Sequence, residues 1–168
     1  WQATHDALTG LANRLHLTAR LKDSTRIARH DAGQLGVVYI DLDGFKPIND
    51  RLGHDVGDLL LVQVAKRLKS ALRSQDCVAR LGGDEFVILL NGLESRSHCE
   101  ALLERIMQRL AAPYILGADT ARITASMGYT LYPEDDADED TLLRHADQAM
   151  YQAKQSGRNC VRAFDSVT

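Results

Sequence analysis

Four acidic residues stand at two points of the chain where they could hold a metal ion. Asp41 and Asp43 end an apolar run, and Asp84 and Glu85 follow a pair of glycines. If these two segments are neighbouring strands, the carboxylates converge at one edge of a sheet, where like charges need a counter-ion. Hard oxygen ligands without a His or Cys cluster favour Mg²⁺ over zinc. Solvated acids at strand ends are the alternative, and charge alone leaves both interpretations open.

The residues directly after the first acidic pair could contact phosphate. Gly44 exposes backbone N–H groups at a turn that leads into a short helix, and Lys46 adds an ammonium group. The sequence contains neither the GxxxxGK[ST] pattern nor GxGxxG, so this segment is not a known phosphate loop. By itself it is a weak indication of a nucleotide site.

Composition limits the protein to a few classes. A chain of 168 residues with 45% hydrophobic and 26% charged residues fits one soluble globular domain. The net charge of −3 argues against a basic surface for nucleic acid, and no apolar stretch approaches the roughly 18 to 20 residues of a membrane helix. Three widely spaced cysteines without a CxxC pair favour a reducing cytoplasmic compartment. The start at Trp1, without Met or a leader, predicts a piece of a longer protein.

The spacing of apolar residues predicts the elements that position these groups. Helical spacing predicts helices over residues 14–29, 55–74, 97–110 and 140–155. Apolar runs predict strands over residues 35–42, 78–81, 86–90, 123–132 and 160–164. Alternation in the fourth strand predicts two unlike faces, and the glycines between the second and third predict a β-hairpin with acids at its tip. Helices interleaved with hairpins favour a mixed sheet over a doubly wound parallel one.

Four blocks of sequence, in order, carry a family resemblance. Residues 82–86 read GGDEF, residues 6–14 DALTGLANR, residues 41–58 DLDGFKPINDRLGHDVGD, and residues 146–159 ADQAMYQAKQSGRN. The chain therefore resembles the GGDEF domains, the diguanylate cyclases that join two GTP molecules into cyclic di-GMP. The resemblance implies one domain over residues 1–168 and an α/β fold of the α+β sandwich type. In that fold a mixed central β-sheet is flanked by helices, as in palm-like nucleotide cyclases, and carries the GGDEF β-hairpin.

The resemblance also implies metal and catalytic roles. The metal ligands implied are Asp41, the Leu42 carbonyl, Asp84 and Glu85, with Mg²⁺ or Mn²⁺ as the ion, two per GTP. Asp84 and Glu85 are the implied catalytic residues. Glu85, or a metal-bound hydroxide beside it, would accept the proton of the attacking hydroxyl, and the sequence does not choose between the two.

Substrate contacts implied by the resemblance fall into two groups. Guanine would be read by Asn49 and Asp58, since an amide and a carboxylate together can hydrogen-bond the base edge. The phosphate contacts implied are Gly44, Phe45, Lys46, Lys154 and Arg158. Without the family, Asn49 and Asp58 would be interpreted as a turn residue and a helix cap, and the last two cations as ordinary residues of a helix C-terminus.

A regulatory site is implied upstream of the signature. Arg73 and Asp76 form an RxxD motif that is separated from Gly82 by five residues, the offset of the family's inhibitory site for cyclic di-GMP. Arg105 is a further candidate for this site, where the correspondence is looser. RxxD alone carries almost no information, and only the offset from the signature favours the functional interpretation.

Two functions remain open from the sequence. The first is a diguanylate cyclase that releases two pyrophosphates, works as a homodimer with one GTP per domain, is inhibited by its product, and contacts neither nucleic acid nor membrane. The second is a catalytically silent module that binds GTP or cyclic di-GMP and controls an attached phosphodiesterase (EAL) or sensor domain. The tail after Asn159 resembles the link to such a phosphodiesterase. Either would act in the cytoplasm, including as the cytoplasmic part of a membrane-bound sensor. A palm-like polymerase fragment would need a groove for nucleic acid, which the acidic balance does not support.

Overall fold

The computed structural model describes residues 1–165, which form two sheets and five helices. The strands in chain order are β1 (Gln34–Asp43), β2 (Cys77–Gly82), β3 (Glu85–Leu93), β4 (Tyr114–Leu116), β5 (Asp119–Ala121), β6 (Thr124–Tyr132) and β7 (Val161–Ala163). The helices are α1 (Arg14–His30), α2 (Phe45–Leu52), α3 (His54–Ala71), α4 (Arg96–Ala111) and α5 (Glu139–Gln155). The last three residues, part of the tail discussed above, lie outside the described range.

The main sheet has five strands in the order β2-β3-β1-β6-β7. β1 is antiparallel to both β3 and β6, β2 is antiparallel to β3, and β7 runs parallel to β6. Strand β1 therefore lies at the centre, which agrees with its almost unbroken apolar sequence. The mixed sheet predicted from the sequence is confirmed.

Helices cover both faces of this sheet. Helices α3 and α4 pack on one face through residues such as Leu60 and Leu103, which join Ile40 of β1 in one apolar cluster. Helices α1 and α5 cover the other face, where Leu17 and Leu142 join a second cluster. Two separate cores on one sheet give the layered sandwich, and they leave the strand ends free for chemistry.

Strand β6 differs from the sequence-based prediction. The alternation of Ile123 to Tyr132 predicts two unlike faces, yet both faces of β6 are buried. One reason is Gly128, where a Cβ would collide with the backbone of Met150 and Ala146, so α5 lies directly on the strand. The Thr and Ser hydroxyls of β6 have partners in the interior: Thr130 donates to Asp135 at 2.7 Å, and Thr124 and Ser126 both donate to Asp43 at 2.8 Å.

A short second sheet follows α4, which the sequence-based prediction omits. β4 and β5 pair antiparallel around Gly117, whose φ of 69° suits glycine. Arg67 of α3 fixes this region, since its guanidinium donates to the carbonyls of Arg109, Ala112 and Pro113 at 2.9, 2.7 and 2.6 Å. The hairpin therefore closes one end of the core and takes no part in positioning the acids.

Candidate functional site

The signature hairpin brings two of the predicted acids to the end of the central strand. Gly82 and Gly83 have φ values of 146° and 52°, which an L side chain rarely adopts; Gly82 ends β2 and Gly83 begins the turn to β3. The Asp84 carbonyl accepts a hydrogen bond from the Leu42 amide at 3.2 Å. Glu85 then lies directly opposite Asp41 in the register of β3 and β1.

Asp41 has the electrostatic surroundings of a cation ligand. Burial raises the pKa of Asp41 to about 6, and the neighbouring charge of Asp84 contributes in the same direction. Lys154 opposes that shift, with its Nζ 3.4 Å from the Asp41 carboxylate. Carboxylates whose negative charges disfavour one another in this way are stabilised by a divalent cation.

The donor set fits Mg²⁺ or Mn²⁺ better than zinc. Carboxylates of Asp41, Asp84 and Glu85 and the carbonyl of Leu42 are hard oxygen ligands. Within residues 1–165, no three His, Cys, Asp or Glu side chains gather closely enough to hold a metal by themselves. The arrangement suits the coordination of Mg²⁺, which usually binds one or two carboxylates and takes its remaining ligands from substrate phosphates and water.

Asp43 has a structural task that the sequence did not reveal. Its carboxylate accepts hydrogen bonds from Thr124 and Ser126, both at 2.8 Å, and from the Asn159 amide at 3.1 Å. Burial alone would raise the pKa of Asp43, but these hydrogen bonds hold it below its ordinary value. Of the two acids that end β1, therefore, only Asp41 is left for a metal, and Asp43 ties the loop after α5 to the sheet.

The last turn of α5 and the loop after it carry the two cations predicted to contact phosphate. Lys154 Nζ lies 3.1 Å from Asp43 and 3.4 Å from Asp41. Arg158 has a φ of 65°, its Nε lies 3.9 Å from Asp43, and 62% of its side chain is exposed. The structure thus brings both cations to the acidic strand end, and the exposed guanidinium of Arg158 is free to reach a ligand.

The predicted phosphate turn lies at the same strand end. Gly44 follows β1 with a φ of 82° and precedes the first residue of α2, Phe45. No atom would obstruct a Cβ at this glycine, so the backbone conformation and not space selects it. Lys46 in the first turn of α2 is exposed. The turn, both cations and the acidic pair therefore surround one end of β1.

Asn49 and Asp58 lie on the adjacent helices α2 and α3. Neither is a turn residue or a cap, since Gly44 and Gly53 cap these helices. Asn49 Nδ2 lies 3.2 Å from His54 Nδ1, and the Asn49 side chain packs so closely over Gly57 that a Cβ there would collide with it. The contact holds Asn49 against Gly57, the residue that precedes the exposed Asp58 in α3.

Arg73 and Asp76 form a closed pair in the turn between α3 and β2. Arg73 donates from Nε and Nη2 to the two Asp76 oxygens, each at 3.1 Å, and its Nη2 also reaches the Asn91 carbonyl at 2.6 Å. Arg105 lies on the exposed side of α4, and no hydrogen bond or ion pair within the described chain joins it to this pair.

Two residues at the site escaped the sequence analysis. The Tyr39 hydroxyl donates to Glu85 Oε2 at 3.0 Å. Arg80 donates to both oxygens of Asp6 at 3.0 and 3.2 Å and to the Gly83 carbonyl at 3.0 Å, which joins the N-terminal segment to the signature turn. Tyr39 was detectable, because a residue two positions before Asp41 shares its face of the strand.

A known family and two characterised relatives match this chain over nearly its whole length. The family "Diguanylate cyclase, GGDEF domain" matches residues 3–160. The chain is 44% identical over 164 residues to the bifunctional diguanylate cyclase/cyclic di-GMP phosphodiesterase MucR of Pseudomonas aeruginosa, covering 98% of this chain and 24% of MucR. It is equally identical, at 44% over 162 residues, to the diguanylate cyclase TpbB of that organism, of which it covers 37%. The chain thus spans well under half the length of these relatives.

Solved structures agree in fold. The GGDEF domain of TpbB superposes with a TM-score of 0.90 at 43% identity, covering 96% of this chain and 94% of that one. The GGDEF domain of DgcB from Caulobacter crescentus, solved in complex with c-di-GMP, gives 0.88 at 29% identity, covering 99% and 98%. In the described part of the chain, no helix is long and apolar enough to cross a membrane. Sequence and structure together show that the chain belongs to the GGDEF domain family.

Proposed function

We propose that this domain is a diguanylate cyclase that condenses two GTP molecules into cyclic di-GMP. The observation that carries the proposal is the meeting of Asp41 and Glu85 across β1 and β3, with Asp84 at the hairpin tip. A divalent ion bound there would polarise the α-phosphate and neutralise charge on the leaving pyrophosphate. The domain is proposed to work in the cytoplasm as one unit of a longer protein.

The residues of the chain would position GTP for an in-line attack. Asn49 and Asp58 would hydrogen-bond the guanine edge, while Arg158, Lys46 and the turn at Gly44 would orient the phosphates. The 3′-hydroxyl of one GTP would then attack the α-phosphorus of the other, and pyrophosphate would leave. Glu85 is the candidate acceptor for the proton of that hydroxyl, because it is the signature acid placed by the strand register.

The reaction requires two copies of the domain. Each domain holds one GTP, so two sites must face each other, and a second attack closes the ring with release of a second pyrophosphate. A homodimer, at least a transient one, is therefore the working enzyme. Product inhibition would act through Arg73 and Asp76, with Arg105 of α4 as a further contributor.

GTP turnover tests the proposal directly. Purified domain with Mg²⁺ and GTP is expected to yield cyclic di-GMP and two pyrophosphates per product, measured by chromatography. Asp84→Ala and Glu85→Ala should each abolish product, whereas Asp119→Ala on the exposed strand β5 should not. Wild type that makes no product even when fused to a dimerising helix would refute the enzyme assignment.

A silent regulatory module is the second candidate. It is favoured by the contact between Lys154 and Asp41 at 3.4 Å, which partly neutralises the acid needed for a metal. Its relative MucR is named for both cyclase and phosphodiesterase, so an attached catalytic partner would suit this role. Calorimetry that detects GTP or cyclic di-GMP binding without turnover would favour the module over the enzyme.

A further inference from the structure

The segment that follows α5 is fixed to the main sheet close to the candidate site. The Asn159 amide donates to the Asp43 carboxylate at 3.1 Å, and the Cys160 carbonyl accepts from the Met127 amide at 3.0 Å. β7 follows directly and pairs with β6 at the edge of the sheet. We call residues 159–164 the strap, because they begin at the acidic strand end and continue along this edge.

An aromatic contact holds the other end of the strap. The Phe164 amide donates to the Tyr129 carbonyl at 2.7 Å. The Phe164 ring stacks on the imidazole of His145 in α5, with the ring centroids 3.8 Å apart and the planes inclined by 6°. His145 is itself held, since its Nδ1 lies 2.7 Å from an Asp135 oxygen that also accepts from Thr130 at 2.7 Å. The stack therefore joins the strap to a ring whose position is fixed by the fold.

Phe164 borders two open spaces. A cavity of about 370 Å³ is shared with residues of α4, of β6 and of the loop after β6, among them Arg96 and Leu131. A groove of about 610 Å³ is shared with the exposed side of α5, including Tyr151 and Gln152. The ring can therefore leave His145 without entering the packed core, so the stack can open while the rest of the domain stays folded.

The loop directly before the strap has a strained backbone. Arg158 and Asn159 have φ values of 65° and 49°, and within residues 1–165 they are the only residues other than glycine with a positive φ. Such a conformation is unfavourable for a residue with a side chain and persists where neighbouring contacts impose it. On the helix side, the Arg158 amide donates to the Ala153 carbonyl at 3.0 Å. The strap supplies the contacts on the other side, so the conformation of Arg158 depends on the strap staying in place.

We propose that the stack of Phe164 on His145 is a latch for the loop that carries Arg158. While the latch is closed, the strap holds Arg158 in its strained and exposed conformation; when the latch opens, the loop relaxes and the affinity for GTP falls. The inference rests on the proposed function, which supplies GTP as the ligand and Arg158 as a phosphate contact. An event that lifts Phe164 from His145 would therefore weaken GTP binding without touching the acids.

The cysteines provide a probe of the strap that does not depend on activity. Cys160 belongs to the strap and is half-buried, with its Sγ 3.4 Å from the Ala153 carbonyl, whereas Cys77 and Cys99 are buried in the core. The rate at which iodoacetamide labels Cys160, followed by mass spectrometry, therefore reports local opening of the strap. The two buried thiols report opening of the whole domain in the same sample.

Removal of either ring is expected to open the latch. Phe164→Ala and His145→Ala should each speed the labelling of Cys160 about fivefold, the factor that corresponds to the loss of one aromatic pair. Labelling of Cys77 and Cys99 should stay within twofold of the wild type. The double variant should label no faster than the faster single variant, because both substitutions remove the same contact.

Two further variants are the controls. Phe164→Tyr keeps the ring and should label Cys160 within twofold of the wild-type rate. Arg162→Ala removes an exposed side chain of β7 that makes no hydrogen bond or ion pair in the described chain, and it should also stay within twofold. Acceleration by Arg162→Ala equal to that of Phe164→Ala would overturn the latch, since any change in β7 would then loosen the strap.

GTP binding gives the second readout. Each alanine variant at the latch is expected to raise the KM and the calorimetric Kd for GTP about threefold or more, while kcat stays within twofold. Unchanged Cys160 labelling in both variants would overturn the inference, as would faster labelling with an unchanged Kd for GTP. Equal acceleration at all three cysteines would overturn it too, because a loss of global stability would then explain the data. A wild type without turnover would refute the cyclase, whereas labelling and calorimetry would still decide whether the latch controls GTP binding.

Discussion

At the scale of single residues, Asp41 shows a conflict between folding and function. Its folded pKa, about 6, lies above the ordinary value of 3.8 because burial and Asp84 disfavour the ionised form. Ionisation of Asp41 therefore opposes folding: stability contributed by the bound proton is present below pH 4 and is lost as the pH rises to about 6. Above that pH the domain carries the full unfavourable charge until a cation binds.

We therefore predict that Asp41→Asn raises the melting temperature of the metal-free domain at pH 7.5 but lowers GTP turnover at least about 100-fold. The stability gain should shrink as the pH falls from about 6 to 4, since the wild-type carboxyl becomes protonated over that range. Thermal melts across this range and product assays measure the two effects. Asp119→Asn, on exposed β5, should show neither. A lower melting temperature for Asp41→Asn at pH 7.5 would mean that its contact with Lys154 outweighs the repulsion.

Tyr39 positions Glu85 by a hydrogen bond of 3.0 Å from a largely buried ring. We predict that Tyr39→Phe lowers kcat about threefold to tenfold while the KM for GTP stays within twofold, because the hydroxyl acts on the acid and not on the nucleotide. The affinity for Mn²⁺, measured by calorimetry, should fall in parallel. Tyr151→Phe is the matched control, since 61% of Tyr151 is exposed. A change confined to KM would contradict the positioning role.

At the scale of elements, the packing of α2 on α3 depends on Gly57. A Cβ at this position would collide with Asn49 Oδ1 and stand 3.0 Å from its Cγ. We predict that Gly57→Ala weakens GTP binding about tenfold or more, because Asn49 must leave its place on the helix. The fold should stay intact or gain stability, because the obstructing atom ends a movable side chain and alanine favours a helix.

A double-variant cycle identifies the cause of that loss. If displacement of Asn49 is responsible, Gly57→Ala should weaken GTP binding no further once Asn49→Ala is present. Calorimetry on the two single variants and the double variant gives the comparison. Additive losses would show that Gly57→Ala acts through another part of the site.

Some helices and strands could be predicted from the sequence and others could not. Strand β1 and four helices follow from apolar spacing because their patterns are long and regular, and the GGDEF hairpin follows from the glycines between two short apolar runs. The β4–β5 hairpin escapes detection, since its two strands of three residues are too short for a periodic signal. The burial of both faces of β6 depends on contact with α5 at Gly128, and no pattern within the strand itself reveals a partner so far along the chain.

The candidate site, too, could be predicted only in part from the sequence. Spacing and the family resemblance predict a metal role for Asp41 and the signature acids, but Asp43 stands in the same short motif and its carboxylate is held by hydrogen bonds within the fold. Its partners Thr124 and Asn159 lie about 80 and 116 residues away along the chain. Chemistry that depends on residues adjacent in sequence is predictable, whereas the assignment of two equivalent acids to a metal or to a structural network requires the tertiary contacts.

At the scale of the whole molecule, the candidate site is open to solvent on one side. The acids, the phosphate turn and both cations surround the end of β1, and Asp58 and Arg158 are exposed there. Cyclic di-GMP needs two α-phosphates attacked by two hydroxyls. The described domain presents one set of such groups, so under the proposed function the second set comes from another copy.

The rate of product formation should therefore rise more steeply than in direct proportion to the protein concentration. We predict that the rate of product formation rises with roughly the square of the concentration until dimers saturate. At saturation, an excess of Glu85→Ala should suppress the wild type, because mixed dimers hold one competent site instead of two. Chromatographic initial rates measure both effects, and an unrelated protein of equal mass controls for crowding. A rate strictly proportional to wild-type concentration, and unaffected by the inactive variant, would mean that one domain completes both phosphoryl transfers by itself.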